Sequence, residues 1–358
     1  MTKKILFIVP YPYNVAPSQR LKFEQYYAEF DKAGYHVTYN SFISLRFWNI
    51  VYKNGRYLSK IIYTVISYFK RYFLLGTVNK YDIVYIHLWG TPLGLPIFEW
   101  MLCRLSKRII YDIDDLVFLK DIKHENKILA FLKGKGKPIY LMRNADHVIT
   151  CTPYLDQIAK KYNKHTTDIS STINTDAYIP VNSYNNNDRL VIGWSGSHST
   201  SQYLYLLKDV LLELQKTIPF KLLVMGDTSF YIPGLDMEAI AWTEEEEIKT
   251  LQKIDIGVYP LPQNEEWVLG KSGLKALQYM SLGIPTVATN VGCNDRVIEN
   301  GVDGYLVLSA QEWLDRLMAL CRDPALRRAI GQRARLKVEK QFSVKNTAHV
   351  YLGIFDNL

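Results

Sequence analysis

The sequence predicts an α/β protein of two doubly wound, Rossmann-like domains facing a central cleft. Three observations predict it. The chain has 358 residues, more than one ordinary core of roughly 100 to 200 residues takes up. Short apolar runs alternate with longer segments of helical period, the pattern of parallel βαβ units. The pattern then restarts after a polar, asparagine-rich stretch, PVNSYNNNDR at 180–189, which reads as a linker.

In order, the first series is KILFIVP, SQRLKFEQYYAEFDKAG, HVTYNSF, a long basic and aromatic stretch, DIVYIHL, GLPIFEWMLCRLSK, RIIYDID, a lysine-rich helix candidate, HVITCT and YLDQIAKKY. The apolar run Ile5 to Val9 is too short for a signal peptide and reads as a buried first strand. The second series is LVIGWSG, SQYLYLLKDVLLELQ, FKLLVMG, EEEEIKTLQK, DIGVYPL, SGLKALQYMSLG, IPTVATN, GYLVL and two or three terminal helices. Thr243 followed by Glu246 is a capping box, so the acidic run at 244–247 reads as a helix start rather than a binding site. The expected division is residues 1–180 for the first domain and 188–341 for the second.

Hydrophobic residues make up 48% of the chain and charged residues 22%, the mix of a folded globular protein and not of a disordered one. Cysteines 103, 151, 293 and 321 show no CxxC or metal-ligand spacing and read as core thiols of a reducing compartment. The apolar run at 61–69 falls well short of the roughly 20 residues that span a bilayer. The expectation is a cytoplasmic protein without a transmembrane helix.

Ligands of open α/β sheets bind beyond the carboxyl ends of the strands, which singles out the loops YPYNVAPSQR, HLWG, DIDD, WSGSHST, GDTS, YPLPQNEEWVLGKSG and TNVGCN. The strongest local signal is GKSGLKALQYMSLGIPTVA, beginning at Gly270. A Gly- and Ser-containing loop opening a helix offers free N–H groups and the positive end of the helix dipole to a phosphate. Lys271 and Lys275 add positive charge there; the plain alternative is a helix start with solvated lysines.

With LQYMSLGIPTVAT and the following GCNDRVIENGVDGYLV, this segment resembles the nucleotide-sugar signature of retaining glycosyltransferases of the GT-B fold, family 4, also called group 1. APSQR, DIVYIH, RIIYDIDD, INTDAYIP, IGWSGSHST and DIGVYPLP extend the likeness along the whole chain. The resemblance implies an N-terminal acceptor-binding domain, a C-terminal nucleotide-sugar-binding domain, and a C-terminal helix at 342–358 crossing back to the first. It also implies transfer of a sugar from a nucleotide-diphosphate donor to an acceptor hydroxyl with retention, without a covalent enzyme nucleophile, a metal or another cofactor.

Two departures stand out. The family's two glutamates, eight positions apart, correspond to Gly270 and Gln278; Gln278 keeps a hydrogen-bonding amide for a ribose hydroxyl but no charge. Glu265 and Glu266 either substitute or are solvated. The family's Arg and Lys after the first strand of the second domain are also missing. Ser195, Gly196, Ser197 and His198, with Gly226 of the GDTS loop, are left to hold phosphate oxygens through hydroxyls and amides. The cationic role then passes to Lys271 and Lys275, with Ser272 and Gly273 supplying amides, and to Arg20 in the first domain, which with Ser18 is also a candidate for acceptor or sugar binding.

In YDIDD, Asp114 falls where many relatives place a histidine near the reacting sugar, and His87 where they have the second histidine of an HxH pair. The resemblance makes Asp114, His87 and Lys271 the catalytic candidates, and Asp112 and Asp115 ligands of acceptor or sugar hydroxyls. N-capping by Asp114 or Asp115, and a structural role for His87, stand as alternatives. Two rivals come from other classes: a catalytically impaired scaffold that binds sugar nucleotides, favoured by the missing glutamates, and a nicotinamide-dependent oxidoreductase on the same sheet, against which stands the lack of a GxGxxG after either first strand.

The formal charge is +8. Between Asp31 and Asp82 there is no acid, while Lys32, Arg46, Lys53, Arg56, Lys60, Lys70, Arg71 and Lys80 supply eight positive charges. Residues 46–76 interleave nine aromatics, Trp48 among them, with six of these bases. Aromatics beside lysines and arginines suit a peripheral, anionic membrane surface at the inner face of the cell membrane; a domain core with solvated lysines would carry the same residues. No nucleic-acid motif accompanies them. The basic segment 127–137 is expected on the same side. A membrane-facing patch suggests a lipid-linked glycan acceptor, as in surface polysaccharide assembly.

Overall fold

The computed structural model describes residues 3–116, 134, 136–180 and 189–358. It divides into two units, residues 1–170 with 347–358, and residues 171–346.

The first unit is built on a parallel sheet of β1 (Lys3–Val9), β2 (Tyr35–Ser41), β3 (Ile83–His87), β4 (Ile109–Asp112), β5 (His147–Thr150) and β6 (Thr166–Asp168), in the order β2-β1-β3-β4-β5-β6. Ile5 to Val9 and Ile83 to Ile86 are at most 1% exposed, as strands covered by helices on both faces must be, and for that reason they read as unbroken apolar runs. Leu6, Ile8, Val84, Ile86, Phe98, Leu102, Leu141 and Leu155 belong to the core on one face. On the other, Phe7 stacks on Phe23 and Tyr85, at 5.3 and 4.5 Å between ring centroids.

The second unit carries β7 (Leu190–Ser195), β8 (Phe220–Met225), β9 (Met237–Ile240), β10 (Ile256–Tyr259), β11 (Thr286–Thr289) and β12 (Tyr305–Val307), parallel, in the order β12-β11-β10-β7-β8-β9. Its core joins Ile192, Trp194, Leu211, Val224, Val258 and Val287 to Trp313 and Leu317 of the helix Ala310–Arg322. The acidic helix Glu244–Leu251 starts at Thr243, whose hydroxyl accepts the Glu246 N–H, the structural reading of that run.

The helix Val344–Asp356 begins in the second unit, where Val344 N–H donates to Ile173 O at 3.1 Å, and its later residues belong to the first. Phe355 packs on Phe30 at 4.9 Å, and Tyr351, fully buried, on Tyr26 at 4.8 Å. The chain therefore returns to its first domain, as the resemblance implies. Residues 171–180, expected in the first domain, group with the second: Ile173 bridges Ser343, and the Arg335 guanidinium donates to the carbonyls of Thr175 and Tyr178. Ile173 and Tyr178 are buried anchors, which a polar-linker criterion passes over. Most of the expected linker, 181–188, and the lysine-rich segment up to residue 133 lie outside the described residues.

Candidate functional site

Doubly wound sheets bind ligands where the strand order reverses. In the second unit the order reverses between β7 and β10, in the first between β1 and β3. Each unit gathers polar groups at that place.

In the second unit β7 ends at Ser195, whose N–H donates to Tyr279 Oη at 2.8 Å, and the chain turns through Gly196, whose N–H donates to Met225 O at 3.0 Å. Gly226 lies against this turn with φ +113°, and a Cβ on it would stand 1.7 Å from Gly196 O. Only glycine fits there. Ser197 caps the helical turn His198–Ser201 in a capping box with Thr200. His198 Nδ1 stands 3.0 Å from Asp227 Oδ2. Burial works to raise the Asp227 pKa, but hydrogen bonds from Ser201, Ser229 and His198 hold it well below the usual carboxylate range.

The facing loop follows β10. Gly273, with φ +75°, is the N-cap of the helix Leu274–Ser281, and a Cβ there would lie 2.8 Å from Val297. Ser272 Oγ is 2.6 Å from Ser171 Oγ. Lys275 Nζ lies 4.2 Å from the centroid of the Trp194 ring, 5.7 Å from that of Tyr259 and 3.4 Å from Thr200 Oγ1. A Cβ on Gly196 would come within 2.3 Å of it, so this glycine leaves the space that the ammonium fills. Burial, with Lys271 adding repulsion, pulls the Lys275 pKa down to about 7. Lys271 Nζ sits 5.4 Å over the Trp267 ring; the Trp267 indole N–H donates to Glu265, and Tyr203 packs on the same ring at 5.2 Å. The whole is a nest of backbone N–H groups, hydroxyls and two lysines suited to a diphosphate.

In the first unit β3 ends at His87 and β4 at Asp112, side by side in register and both fully buried. His87 Nδ1 lies 3.0 Å from Asp112 Oδ2, and Lys22 Nζ 2.6 Å from Asp112 Oδ1. Burial alone would raise the Asp112 pKa; Lys22 and His87 reverse this and hold it below the usual range. Burial likewise works against the Lys22 charge, and Asp112 outweighs it, raising Lys22 well above an ordinary lysine. His87 Nε2 is buried, has no hydrogen-bond partner among the described residues and lies 3.9 Å from Asp114 Oδ2. Asp114 has its pKa raised, first by burial and further by Asp112 and Asp115, against His87 and Lys22. A hydroxyl arriving at Asp114 Oδ2 would meet an acceptor in Asp114 and a second polar atom in His87 Nε2.

The loop after His87 is fixed by strain and by buried charge. Leu88 has φ +58°, and Trp89 N–H closes back on His87 O at 2.7 Å, a conformation that costs of order 1–3 kcal/mol in a non-glycine residue. Glu99 accepts both the N–H and the hydroxyl of Thr91, and Lys137 donates to the Thr91 and Leu93 carbonyls at 2.9 and 2.8 Å.

Residues 189–323 match the family model described as glycosyl transferases group 1. This part of the chain is a group 1 glycosyltransferase domain. N-acetyl-alpha-D-glucosaminyl L-malate synthase of Bacillus anthracis is 35% identical over 85 residues, 23% of this chain and 22% of that protein. The chain thus aligns with about a fifth of the length of the curated relatives it matches. Among solved structures, sucrose-phosphate synthase from Thermosynechococcus elongatus shares the fold with a TM-score of 0.71 at 16% identity, covering 99% of this chain and 100% of that one. Anabaena HepE, solved in complex with UDP-glucose, does so with a TM-score of 0.69 at 14% identity, covering 99% and 100%. The fold is GT-B.

Within the group 1 domain, Ser195, Gly196, Ser197, His198 and Gly226 stand on the β7 side of the reversal, and Lys271, Ser272, Gly273 and Lys275 on the β10 side. Gln278 lies elsewhere. It is buried, and its Nε2 donates to Tyr178 Oη at 3.1 Å and to Glu247 Oε1 at 3.2 Å, where the Trp242 indole also donates. Gln278, nearly one turn on from Lys275, is drawn to Tyr178 and Glu247, so its amide is committed inside the unit and not to a ribose.

In the first unit Asp114 and His87 lie side by side, 3.9 Å apart. Asp112 is fully buried and spent on Lys22 and His87, so it orients His87 and cannot be the ligand of an acceptor hydroxyl. Asp115 Oδ1 accepts the Leu116 N–H at 2.7 Å. Ser18 and Arg20 are half-buried in the turn Pro17–Arg20, while Gln19 between them is fully buried, holding both the N–H and the carbonyl of Tyr11. Of the expected membrane residues, Arg46, Lys53, Arg56 and Lys70 are exposed and Lys60 half-buried, but Trp48 packs on the cluster of Phe42, Ile43, Phe47 and Ile50.

Arg71 is 1% exposed. Its guanidinium donates to Val9 O at 2.6 Å and to Asn40 O at 3.0 Å, satisfying carbonyls at the ends of β1 and β2, and burial draws its pKa down to about 9. Lys137 is equally buried and faces Glu99 at 3.6 Å. Neither reaches a membrane. Lys22 and Glu99 carry no local sequence signal, since each is paired with a charge distant in the chain, and Trp194, Asp227 and Trp267 lie in loops the sequence singles out without marking those residues.

Proposed function

We propose that the protein is a retaining glycosyltransferase that moves a sugar from a nucleotide-diphosphate donor to a hydroxyl of a lipid-linked glycan, at the cytoplasmic face of an anionic membrane, in surface polysaccharide assembly. The observation that carries the reading is the group 1 domain's paired loops, in which Lys275 is already seated over Trp194 and Gly196 beside the N-terminus of Leu274–Ser281.

The diphosphate lies on the free N–H groups of that helix start and on the Gly196–Thr200 turn. Lys271 and Lys275 take up the charge that develops as the bond from the anomeric carbon to the leaving phosphate oxygen breaks. The acceptor oxygen forms its bond to that carbon on the same face, and its proton passes to the departing phosphate. In the first unit Asp114 and His87 Nε2 hold and polarise the acceptor hydroxyl. HepE was solved with UDP-glucose, which makes uridine nucleotides the first to test.

A thermal-shift panel of UDP, GDP, ADP and dTDP, followed by sugar release from the matching donors, tests the reading on wild type and Lys271→Ala. One diphosphate should raise the melting temperature, its sugar nucleotide should be turned over, and the variant should lose both. Absence of both in the wild type would sink it. The departures at Gly270 and Gln278 favour a second reading, a sugar-nucleotide-binding scaffold. Binding without turnover, with acceptor lipids supplied, would support that reading.

A further inference from the structure

The helix Tyr57–Leu74 is inverted relative to a helix that faces water. Its buried side chains are Ser67 and Arg71, while Leu58, Ile61, Phe69 and Phe73 are 72%, 60%, 62% and 80% exposed. An amphipathic helix on a soluble domain turns its apolar stripe to the core. Here the core side is fixed by polar anchors, the Arg71 guanidinium on Val9 and Asn40 and the Tyr68 hydroxyl bonded to both the N–H and the carbonyl of Leu93 at 3.0 Å. The same anchors carry the apolar surface onto the neighbouring segment, where Leu93, Leu95, Ile97 and Trp100 are each at least half exposed. Tyr72 against Phe98, 5.7 Å between centroids, closes the seam between the two segments. Scattered exposed apolar residues are ordinary, but a continuous face of this kind marks a surface that meets something else.

We propose that this face is a membrane-insertion surface, with the outward side chains of Tyr57–Leu74 entering the boundary between headgroups and acyl chains of an anionic bilayer, and the 93–100 segment lying beside them. The charge pattern selects the occupant. No acidic residue occurs between Asp31 and Asp82, while Arg46, Lys53, Arg56 and Lys70 are exposed in that stretch. A second copy of this chain seated on the face in a two-fold interface would bring those charges against themselves; a bilayer with anionic headgroups neutralises them while taking up the apolar side chains. No helix among the described residues is long and apolar enough to cross a membrane, so this helix lies in the interface plane. The proposal rests on the membrane part of the proposed function and is independent of glycosyl transfer.

Co-sedimentation with vesicles tests it, using phosphatidylcholine alone and phosphatidylcholine mixed with phosphatidylglycerol, at low and high salt. The wild type should bind the mixed vesicles and keep part of that binding at high salt, because insertion of apolar surface is not screened. The double variant Ile61→Glu, Phe69→Glu should lose about tenfold or more of its partitioning while keeping the wild-type melting temperature and thermal response to nucleotides. Lys53→Ala with Lys70→Ala should weaken binding several-fold at low salt only. Equal binding by the glutamate variant would overturn the proposal, as would wild-type binding abolished entirely by salt. So would a wild type that ignores vesicles but forms a dimer in sedimentation velocity that the glutamate variant abolishes. Loss of donor turnover with vesicle binding intact would count against the transferase reading alone.

Discussion

The ammonium of Lys275 stands 4.2 Å from the centre of the Trp194 ring, over a glycine whose missing side chain leaves it room. An ammonium desolvated in this way, next to Lys271, is poorly compensated in the free protein and would be well compensated by a diphosphate.

The sign of the resulting pH dependence follows. Lys275 titrates near 7 in the folded chain and near 10.5 when unfolded, so the folded state binds fewer protons between those values. Its stability penalty is complete below pH 7 and is relieved as pH rises toward 10.5. Lys275→Met should raise the melting temperature at pH 6, with an advantage that shrinks toward pH 10. A bound diphosphate favours the charged form, so nucleotide affinity should fall by up to about tenfold per pH unit above 7, and the variant should lose that slope. Calorimetric titration in buffers of different ionisation heat reads the proton uptake; identical slopes in variant and wild type would contradict it.

By the sequence resemblance Gln278 falls where a family glutamate is expected, but it shares Glu247 Oε1 with the Trp242 indole. Gln278→Glu would put a second carboxylate within hydrogen-bond distance of a buried one. Urea denaturation at pH 7 should show a loss of about 2–4 kcal/mol. One carboxyl of the pair would have its pKa raised, so the penalty applies above that pKa and is relieved as pH falls through it. Nucleotide affinity should change little, because the amide faces the interior. A gain in donor affinity would place Gln278 at the ligand after all.

The alternation of strands and helices, the two sheets and the loops at their reversal points are legible in the sequence because buried parallel strands are continuous apolar runs, and Gly270 to Gly283 carries its own turn chemistry. Pairings across the chain are not legible. Asp112 reads as a ligand because its loop ends a strand, and only Lys22, ninety positions earlier, shows that its charge is already neutralised. Arg71 reads as a surface base because its neighbours are basic and aromatic, whereas the carbonyls of Val9 and Asn40 at the strand ends draw it inward. Composition identified a membrane-like stretch, but which side of the helix is apolar and outward depends on those same anchors.

The Lys22–Asp112 pair is fully enclosed, so removing one partner should leave the other uncompensated. Asp112→Asn should destabilise the first unit by about 3–5 kcal/mol. The pH profile gives a second reading. Asp112 has its pKa lowered, so its contribution is complete above the unfolded value of about 3.9 and is lost as pH falls through the folded one. Wild-type stability should therefore fall steeply below about pH 4, and the variant should show a shallower decline. Parallel acid limbs for the two proteins would show that the pair adds nothing.

Asp114 sits beside this pair with the opposite displacement. Burial raises its pKa, helped by Asp112 and Asp115, so the acid it would use to hold an acceptor hydroxyl is neutral at a pH where an ordinary aspartate is already ionised. If ionised Asp114 polarises the acceptor, kcat/KM for transfer should rise through an acid limb above the usual carboxylate range, and Asp114→Asn should remove the limb and lower the rate by about 10²-fold to 10⁴-fold. Nucleotide binding, proposed for the other unit, should be unchanged in that variant. His87→Gln should lower kcat/KM by a smaller factor and move the limb to higher pH, since His87 is one of the two groups that hold the Asp114 pKa down against burial. An Asp114→Asn protein that transfers at the wild-type rate, or one that loses nucleotide affinity in parallel with activity, would remove Asp114 from the acceptor site.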